Sequence, residues 1–182
     1  MKEITFITGN QNKADYLAKY LGLPIKHVKL DLDEIQSLDL KKIIGHKVRQ
    51  AYEIIQGPVI VEDVSLEFKA LGRLPGPLIK YFLEELSEEQ ICNLVNGNTR
   101  EAIAKCMFGY FDGKDLQMFE NGLGGKIPQT PAGENGFGFD RIFIPEGYSS
   151  TRAELNEEDD RKTYLKIKPF DKLKQFLQKN NE

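Results

Sequence analysis

The sequence is poor in the residues that carry much of protein chemistry: it has no tryptophan, two histidines and two cysteines among 182 residues. Cys92 and Cys106 lack the spacing of metal ligands, so we expect reduced thiols, with Cys106 filling the core of a strand. His27 and His46 stand far apart, without a serine or cysteine in a recognisable nucleophile setting. We therefore expect neither histidine to be catalytic.

Long apolar runs and an excess of charge of one sign are also missing. No stretch resembles a signal peptide or is long enough to span a bilayer, so we expect a cytoplasmic protein without a membrane partner. Lys and Arg number 25 and Asp and Glu 28, for a net charge of -3. That balance argues against a stable nucleic-acid partner, which would normally require a basic face. The 40% of hydrophobic residues are enough for one domain, or for two small lobes sharing a sheet.

Apolar periodicity predicts strands and helices in alternation, followed by a hairpin. Strands are predicted at 4–7, 25–30, 59–61, 142–144 and, around the turn Asp112-Gly113, at 102–111 and 116–124; helices are predicted at 12–21, 39–56, 84–96 and 171–179. Alternation followed by an antiparallel hairpin indicates an α/β protein with a mixed sheet and two lobes.

The stretch 59–82 is the most informative part of the chain. Its apolar run, Val59-Ile60-Val61, predicts a buried strand that stops at Glu62 and Asp63. Adjacent carboxylates at the end of a core strand are costly to desolvate unless they bind a cation or do chemistry. The loop 72–77 is rich in Gly and Pro, and a helix beginning near its end carries Lys80. The acids and this lysine suit a metal ion and a phosphate chain, although solvated acids at a surface strand end remain an alternative.

The turn Thr8–Lys13 connects the first strand to the first helix. Backbone N–H groups at such a helix N-terminus attract anions, above all phosphate. The glycine spacing is not that of a P-loop, and an ordinary N-cap is the alternative interpretation.

Four segments in a fixed order resemble the inosine triphosphate pyrophosphatase family, the Ham1-like nucleoside triphosphate pyrophosphatases: TGNQNK, DLDEIQ, VEDVSLEFKALGRLPGPLIKYF and GFGFDRIFIPEGYSSTRAEL. The resemblance runs from about Ile4 to Leu155. It implies Mg²⁺-dependent hydrolysis of non-standard purine triphosphates such as ITP, dITP and XTP to the monophosphate and pyrophosphate. It also implies a homodimer of elongated, two-lobed α/β subunits, with helices flanking a mixed sheet and the active site in a cleft between the lobes.

The resemblance assigns roles to individual residues. It implies that Asp63 binds the metal and activates water, with Glu62 and Lys13 as further catalytic residues and Glu34 and Glu62 as further metal ligands. The remaining substrate-binding positions are Thr8, Gly9, Asn10, Lys13, Lys47, Val64, Lys80, Phe137, Gly138, Phe139, Asp140 and Lys166. In this assignment the aromatic ring at Phe139 stacks on the base and Asp140 lies beside the nucleotide.

Two departures from the family pattern stand out. Val64 replaces a small hydroxyl residue, although Ser65 follows. The family's C-terminal lysine and Ser-His-Arg triplet, which read the keto edge of the purine, are missing from the corresponding stretch 159–166. Lys166 stands where the arginine would, and Arg161 or Lys162 is a candidate replacement for the lysine.

Buried residues that recognise a base by hydrogen bonds can separate substrates by orders of magnitude. Because the triplet is missing, we expect altered or relaxed base specificity. Two alternatives stay open: a pyrophosphatase for a modified purine nucleotide, and a catalytically weak nucleotide-binding sensor or partner subunit. The acids Glu34, Glu62 and Asp63, kept together with Lys13 and Lys80, argue against an inactive binder, which has little need of a water-activating acid.

Overall fold

The structure, a computed structural model, describes residues 3–23 and 25–179, apart from the side chain of residue 12. Its strands are β1 Ile4–Ile7, β2 Ile25–Val28, β3 Val59–Phe68, β4 Pro75–Gly76, β5 Glu101–Phe111, β6 Leu116–Lys126 and β7 Ile144–Pro145. Its helices are α1 Gln11–Leu21, α2 Leu40–Ile55, α3 Ile79–Glu85, α4 Glu88–Asn93, α5 Glu157–Ile167 and α6 Phe170–Lys179. None of these described helices is both long enough and apolar enough to cross a membrane.

The strands form a seven-stranded mixed sheet in the order β2-β1-β3-β5-β6-β7, with β4 paired to β3. Strand β1 is parallel to both of its neighbours, so that Phe6 lies opposite His27 on β2 and Ile60 on β3. Strands β3 and β4, and strands β6 and β7, pair antiparallel. The predicted mixed α/β architecture is confirmed.

The chain divides into two compact units. The first unit runs through Asp63 and also takes up residues 107–120 and the chain from Pro169 onward. The second unit consists of Val64–Cys106 and Asn121–Lys168. The boundary therefore falls inside β3, between Asp63 and Val64.

The core of the first unit forms where α2 packs on the sheet. Its buried cluster consists of Leu40, Ile44, Val48, Ala51, Val59, Val61 and Met107. Gly109 allows a close approach: a Cβ there would lie 2.3 Å from a methyl group of Ile44, so a larger residue would force the helix or its side chains to shift. The amphipathic helix predicted from the periodicity is confirmed, and the carboxylate of Asp39 caps it by accepting the backbone N–H of Lys41 at 2.9 Å.

Several predicted boundaries were wrong. Strand β3 does not stop at Glu62 and Asp63 but runs on to Phe68, because the residues 65–68 that follow the acids are buried and keep the chain extended. The helix predicted to begin near the end of the loop 72–77 is α3, and the helix predicted at 84–96 is the shorter α4, which starts only after Ser87 because Ser87 forms a capping box with Gln90.

The C-terminal part of the second unit also differs from the prediction. Residues 140–142 form a 3-10 turn, and the adjacent strand β7 begins only at Ile144. Helix α5 was not predicted; it begins after Asn156, whose side chain accepts the backbone N–H of Asp159 at 2.9 Å. Cys106 is fully buried in β5, as expected for a core residue, and burial raises the pKa of the Cys92 thiol to about 11.

Candidate active site

The turn between β1 and α1 is an N-cap. The side chain of Asn10 accepts the backbone N–H of Lys13 at 3.2 Å, and the hydroxyl of Thr8 accepts the backbone N–H of Asn10 at 3.1 Å. Gly9 keeps the turn tight, because a Cβ there would come within 3.1 Å of the Lys29 side chain. The cap interpretation is therefore correct, and the same geometry leaves the N-terminal end of an 11-residue helix beside Thr8 and Lys13.

Lys13 reaches from α1 to the first of the two β3 acids. Its ammonium group lies 3.0 Å from Oε1 of Glu62, whose side chain is only 6% exposed. The two residues are 49 positions apart, so the contact depends on the parallel pairing that sets β1 beside β3. A nearly buried carboxylate is tolerated here because a cation compensates it.

Lys47 joins the other β3 acid to the acidic loop at residues 31–36. Its ammonium lies 2.9 Å from Oδ2 of Asp63 and 3.2 Å from Oε1 of Glu34. Burial lowers the pKa of Lys47, but the carboxylates of Asp63 and Glu34 outweigh it and the net pKa is raised above its ordinary value. Lys47 is therefore a permanent cation at neutral pH.

Glu34 is brought to Lys47 by a backbone contact of the loop. The N–H of Asp33 donates to Oε1 of Gln50 at 2.8 Å, which fixes the loop against α2 one turn after Lys47. His46 neighbours Lys47 in sequence, but the Nε2 atom of its ring is buried without a hydrogen-bond partner among the described residues. In the described part of the chain, this nitrogen therefore makes no hydrogen bond to Glu34, Lys47 or Asp63.

Five predicted residues of the first unit therefore form two ion-paired groups: Lys13 with Glu62, and Lys47 with Glu34 and Asp63. The adjacent β3 residues Glu62 and Asp63 connect the two groups in the chain, and we refer to both groups together as the acid–lysine cluster. The two lysines between them contact all three carboxylates. Within residues 3–23 and 25–179 no group of three or more His, Cys, Asp or Glu side chains converges as a ready metal site. Glu34 and Asp63 do share one cation, the ammonium of Lys47, whereas Glu62 meets a different lysine.

The predicted site residues of the second unit lie on β3, α3 and the loop before the 3-10 turn. Val64 is partly buried in β3, and the next side chain, Ser65, is fully buried with no hydrogen-bond partner for its hydroxyl in the described chain. Lys80 is exposed on the first turn of α3, with its ammonium 5.8 Å from the ring centre of Tyr81. Ser65 therefore does not offer an accessible hydroxyl in place of the missing one.

The loop at residues 136–140 folds around the carboxylate of Asp140. Oδ2 of Asp140 accepts the backbone N–H of Phe137 at 3.0 Å. Gly136 and Gly138 have positive φ angles of 82° and 64°, which L side chains rarely adopt. Of the two aromatic residues, Phe139 is 9% exposed and packs edge-on against Phe143, whereas Phe137 is 58% exposed. The ring with an accessible face is thus Phe137.

Sequence reasoning missed Arg152, the buried cation behind this loop. Arg152 donates from Nη1 to Oδ1 of Asp140 at 2.6 Å, from Nη2 to Oδ1 of Asp160 at 2.6 Å and from Nε to the hydroxyl of Thr163 at 3.1 Å. Burial raises the pKa of Asp140, an effect that the guanidinium of Arg152 and the backbone N–H of Phe137 oppose. The only signal in the sequence is the capping box of Thr151 and Glu154, which marks a turn but not the burial of the arginine between them.

The three candidate replacements for the missing family residues all lie on helix α5. Arg161, Lys162 and Lys166 are exposed on α5. Lys162 pairs with acids of its own helix, Glu158 at 2.8 Å and Asp159 at 3.3 Å. The cation beside Asp140 is Arg152 and not Arg161 or Lys162.

Two cavities are separate from these residues. One of about 690 Å³ in the second unit is lined by residues of β5, β6 and β7, and one of about 680 Å³ in the first unit by residues of α2, β6 and the acidic loop. None of the predicted site residues lines either of these two cavities.

Comparisons with known proteins agree with the resemblance. Inosine triphosphate pyrophosphatase 2 of Trypanosoma cruzi is 40% identical over 177 residues, which cover 94% of this chain and 90% of that protein. Inosine triphosphate pyrophosphatase of Schizosaccharomyces pombe is 38% identical over 183 residues, covering 98% and 96%. The solved structure of the Staphylococcus aureus Ham1 protein matches with a TM-score of 0.85 and 25% identity, covering 98% of this chain and 100% of that one.

A model of the Ham1 family matches residues 4–176, which include every site residue considered above. The match spans both compact units and the acid–lysine cluster. With that match, and with relatives near 40% identity along almost the whole sequence, the chain belongs to the Ham1 family.

Proposed function

We propose that this protein hydrolyses non-standard purine nucleoside triphosphates, such as ITP, dITP and XTP, to the nucleoside monophosphate and pyrophosphate. The observation that carries the proposal is the acid–lysine cluster, in which Lys13 of α1 and Lys47 of α2 hold the carboxylates of Glu34, Glu62 and Asp63. Carboxylates paired with lysines whose bonds can be exchanged suit a cation-bound polyphosphate. The names of the two relatives support the same substrate class.

The phosphates are assigned to the turn before α1. Backbone N–H groups at the start of the helix, the hydroxyl of Thr8 and the ammonium of Lys13 all favour an anion. Lys13 would exchange Glu62 for a phosphate oxygen, and the nearly buried carboxylate of Glu62 would then need another cation, which the metal ion that accompanies the phosphates would supply. We assign Lys80 on α3 to the phosphates as well, by its position in the family motif.

The donor set fits Mg²⁺. Glu34 and Asp63 both lie within 3.2 Å of one ammonium nitrogen, so their oxygens already converge on a single cationic point. Mg²⁺ takes carboxylate, water and phosphate oxygens as ligands, and Glu34 and Asp63, with Glu62 next to them, would hold it. Bound there, the ion would supply charge neutralisation on the phosphates and a more acidic water.

We assign Asp63 as the general base that accepts the proton of the attacking water. Lys47 donates to Oδ2 of Asp63 at 2.9 Å and so orients the carboxylate, which accepts the proton as water attacks the α-phosphorus. Lys13 then stabilises the departing pyrophosphate electrostatically. This chemistry needs no nucleophilic side chain, which agrees with the scarcity of histidine and cysteine.

The base is assigned to the loop at residues 136–140. Its exposed ring, Phe137, can stack on a purine, whereas Phe139 is turned into the core against Phe143. We therefore move the stacking role from Phe139 to Phe137. The homodimer and the cytoplasmic location expected from the sequence belong to the same proposal, and sedimentation analysis of the purified protein tests the first of them.

Hydrolysis in ¹⁸O-labelled water, with Mg²⁺ or with EDTA, tests the reaction. Attack at the α-phosphorus places the label in the nucleoside monophosphate and releases unlabelled pyrophosphate. Label in inorganic phosphate, with a nucleoside diphosphate as product, would overturn the assignment, and the absence of any turnover would favour a nucleotide-binding sensor.

A further inference from the structure

We infer that Arg152 is a positioning residue for base binding: through Asp140 it sets the conformation of the loop 136–140 that presents Phe137. The inference rests on the proposed function, because it gives the loop a nucleotide base to bind. Arg152 itself is 6% exposed and is not expected to touch the substrate.

The first step of the argument is that Asp140 holds the loop. One carboxylate oxygen accepts the backbone N–H of Phe137 at 3.0 Å, and the other accepts Nη1 of Arg152 at 2.6 Å. Gly136 lies against the same carboxylate, since a Cβ there would come within 2.4 Å of Oδ2. The backbone at Phe137 is thus tied to a side chain that is itself fixed by Arg152.

The second step is that Arg152 is fixed from the side of α5. Its Nε donates to Thr163, whose hydroxyl in turn donates to the carbonyl of Asp160 at 2.8 Å. Its Nη2 donates to the carboxylate of Asp160 at 2.6 Å. The guanidinium also lies 5.6 Å from the ring centre of Tyr164. Three anchors on one face of α5, at positions 160, 163 and 164, leave Arg152 little rotational freedom.

The third step of the argument is that the buried Arg152–Asp140 ion pair serves to fix geometry. A buried ion pair is poor at adding stability, since apolar residues of similar volume are often as stable, and its value lies in defined geometry. A planar guanidinium can bond two carboxylates and a hydroxyl at fixed angles, which a lysine cannot reproduce. The cluster therefore specifies where Asp140 stands, and with it the loop that presents Phe137.

The expected consequence is a loss of affinity for the base with little change in the chemical step. We expect Arg152→Met to raise KM for ITP about tenfold or more while kcat stays within about threefold, since misplacing a positioning group by an ångström is enough for such effects. Arg152→Lys should recover part of the loss. The inhibition constant of inorganic tripolyphosphate, which has no base, should change by less than about twofold for both variants.

A double-mutant cycle with Phe137→Ala tests the coupling directly. If Arg152 acts through the loop, Arg152→Met should raise KM much less in a Phe137→Ala background than in the natural one. Lys114→Met, which removes an exposed cation from the turn between β5 and β6, serves as the control and should leave both constants unchanged. Thermal unfolding of every variant identifies those that simply fail to fold.

If Arg152→Met does not fold, Asp160→Asn replaces it in the cycle, because Asp160 is 42% exposed and its loss leaves the Arg152–Asp140 pair in place. Fully additive effects on KM, or equal weakening of ITP and tripolyphosphate, would overturn the inference and leave Arg152 as a structural ion pair. A natural protein that hydrolyses no triphosphate would instead refute the proposed function, so the two failures are distinguishable.

Discussion

The two charged clusters of this protein use the same chemistry in opposite ways. In the acid–lysine cluster the side chains of Lys13 and Lys47 are 26% and 14% exposed, the acids range from 6% for Glu62 to 38% for Glu34, and each lysine contacts one oxygen of each carboxylate that it binds. In the second unit, Arg152 and Asp140 are 6% and 5% exposed. Flexible, partly hydrated lysines can exchange one oxygen partner for another, whereas a buried, fully bonded guanidinium cannot do so cheaply. The first arrangement suits ligand binding, and the second suits a fixed framework.

The largest expected effect comes from the acid that we assign to the attacking water. Asp63→Asn should lower kcat by about a hundredfold or more, because it removes the proposed base while an amide oxygen can still accept from Lys47. Pyrophosphate release measures the loss. Asp33→Asn, an exposed neighbour of Glu34 in the acidic loop, is the control and should keep the natural rate. A natural rate in Asp63→Asn itself would show that another group takes the proton.

The contrast between the clusters also explains how much the sequence could reveal. The turn at Thr8–Lys13 was predictable because strand, cap and helix are consecutive in the chain, and the Ham1 motifs then indicated the acids and lysines. The continuation of β3 past Glu62 and Asp63 was not predictable from the apolar pattern. Those acids are compensated by Lys13 and Lys47, which lie 49 and 16 positions away, so only the tertiary structure makes the polar residues compatible with the strand.

Arg152 was missed for a related reason. The stretch 151–154 is polar and turn-like, and an arginine in such a stretch is normally solvated. Its burial depends on α5, which the sequence analysis treated only as the site of a missing motif. The family motif places the candidate replacement cations at positions 161, 162 and 166, whereas the cation that bonds Asp140 stands nine residues before the first of these.

The second-largest expected effect comes from Lys13, the lysine of the acid–lysine cluster that we assign to the phosphates. Lys13→Ala should weaken triphosphate binding by on the order of 1.5–3 kcal/mol, the value of a charge-assisted hydrogen bond. Binding of the free nucleoside should hardly change, because it lacks the phosphates. Calorimetric titration with both ligands measures the difference, with Lys19→Ala on the same helix as the control. Equal losses for the two ligands would show that Lys13 does not bind the phosphates.

The third prediction concerns Lys47 in the free protein. Lys47→Met should lower the free energy of unfolding at pH 7 by about 1–3 kcal/mol, less than for a fully buried pair because Glu34 and Asp63 are partly exposed. The pKa of Lys47 is raised in the folded state, so its contribution is complete below the ordinary value of 10.5 and is lost as pH rises through the folded pKa. The difference in the free energy of unfolding between the variant and the natural protein, here called the gap, should therefore become smaller above pH 10.5.

Chemical denaturation at a series of pH values measures that gap. Lys41→Met, an exposed lysine at the start of the same helix, corrects for the general effect of losing a positive charge. A gap that stays constant into the alkaline range would mean that the ammonium of Lys47 does not stabilise Asp63 and Glu34 electrostatically.

The smallest expected effect concerns base specificity, which is measured as the ratio of catalytic efficiencies for ITP and ATP. On helix α5, Leu165 and Lys166 stand where the family has its histidine and arginine, and leucine can neither donate nor accept a hydrogen bond. Lys166 is exposed, and Arg152 has its bonds directed at Asp140, Asp160 and Thr163 instead of a ligand. Stacking on Phe137 tolerates any purine, because every base presents a π face.

We therefore expect kcat/KM for ITP to exceed that for ATP by less than about tenfold, whereas sites with strong polar readers reach several orders of magnitude. Assays with ITP, XTP, dATP, ATP and a set of modified purine triphosphates measure the ratio and reveal any preference for a base without a keto edge. A thousandfold preference for ITP would contradict the prediction. It would also mean that the rigid Arg152 cluster, or a group of the loop that it holds, has taken over the reading of the keto edge, and the ratio for Arg152→Lys would then fall along with its affinity.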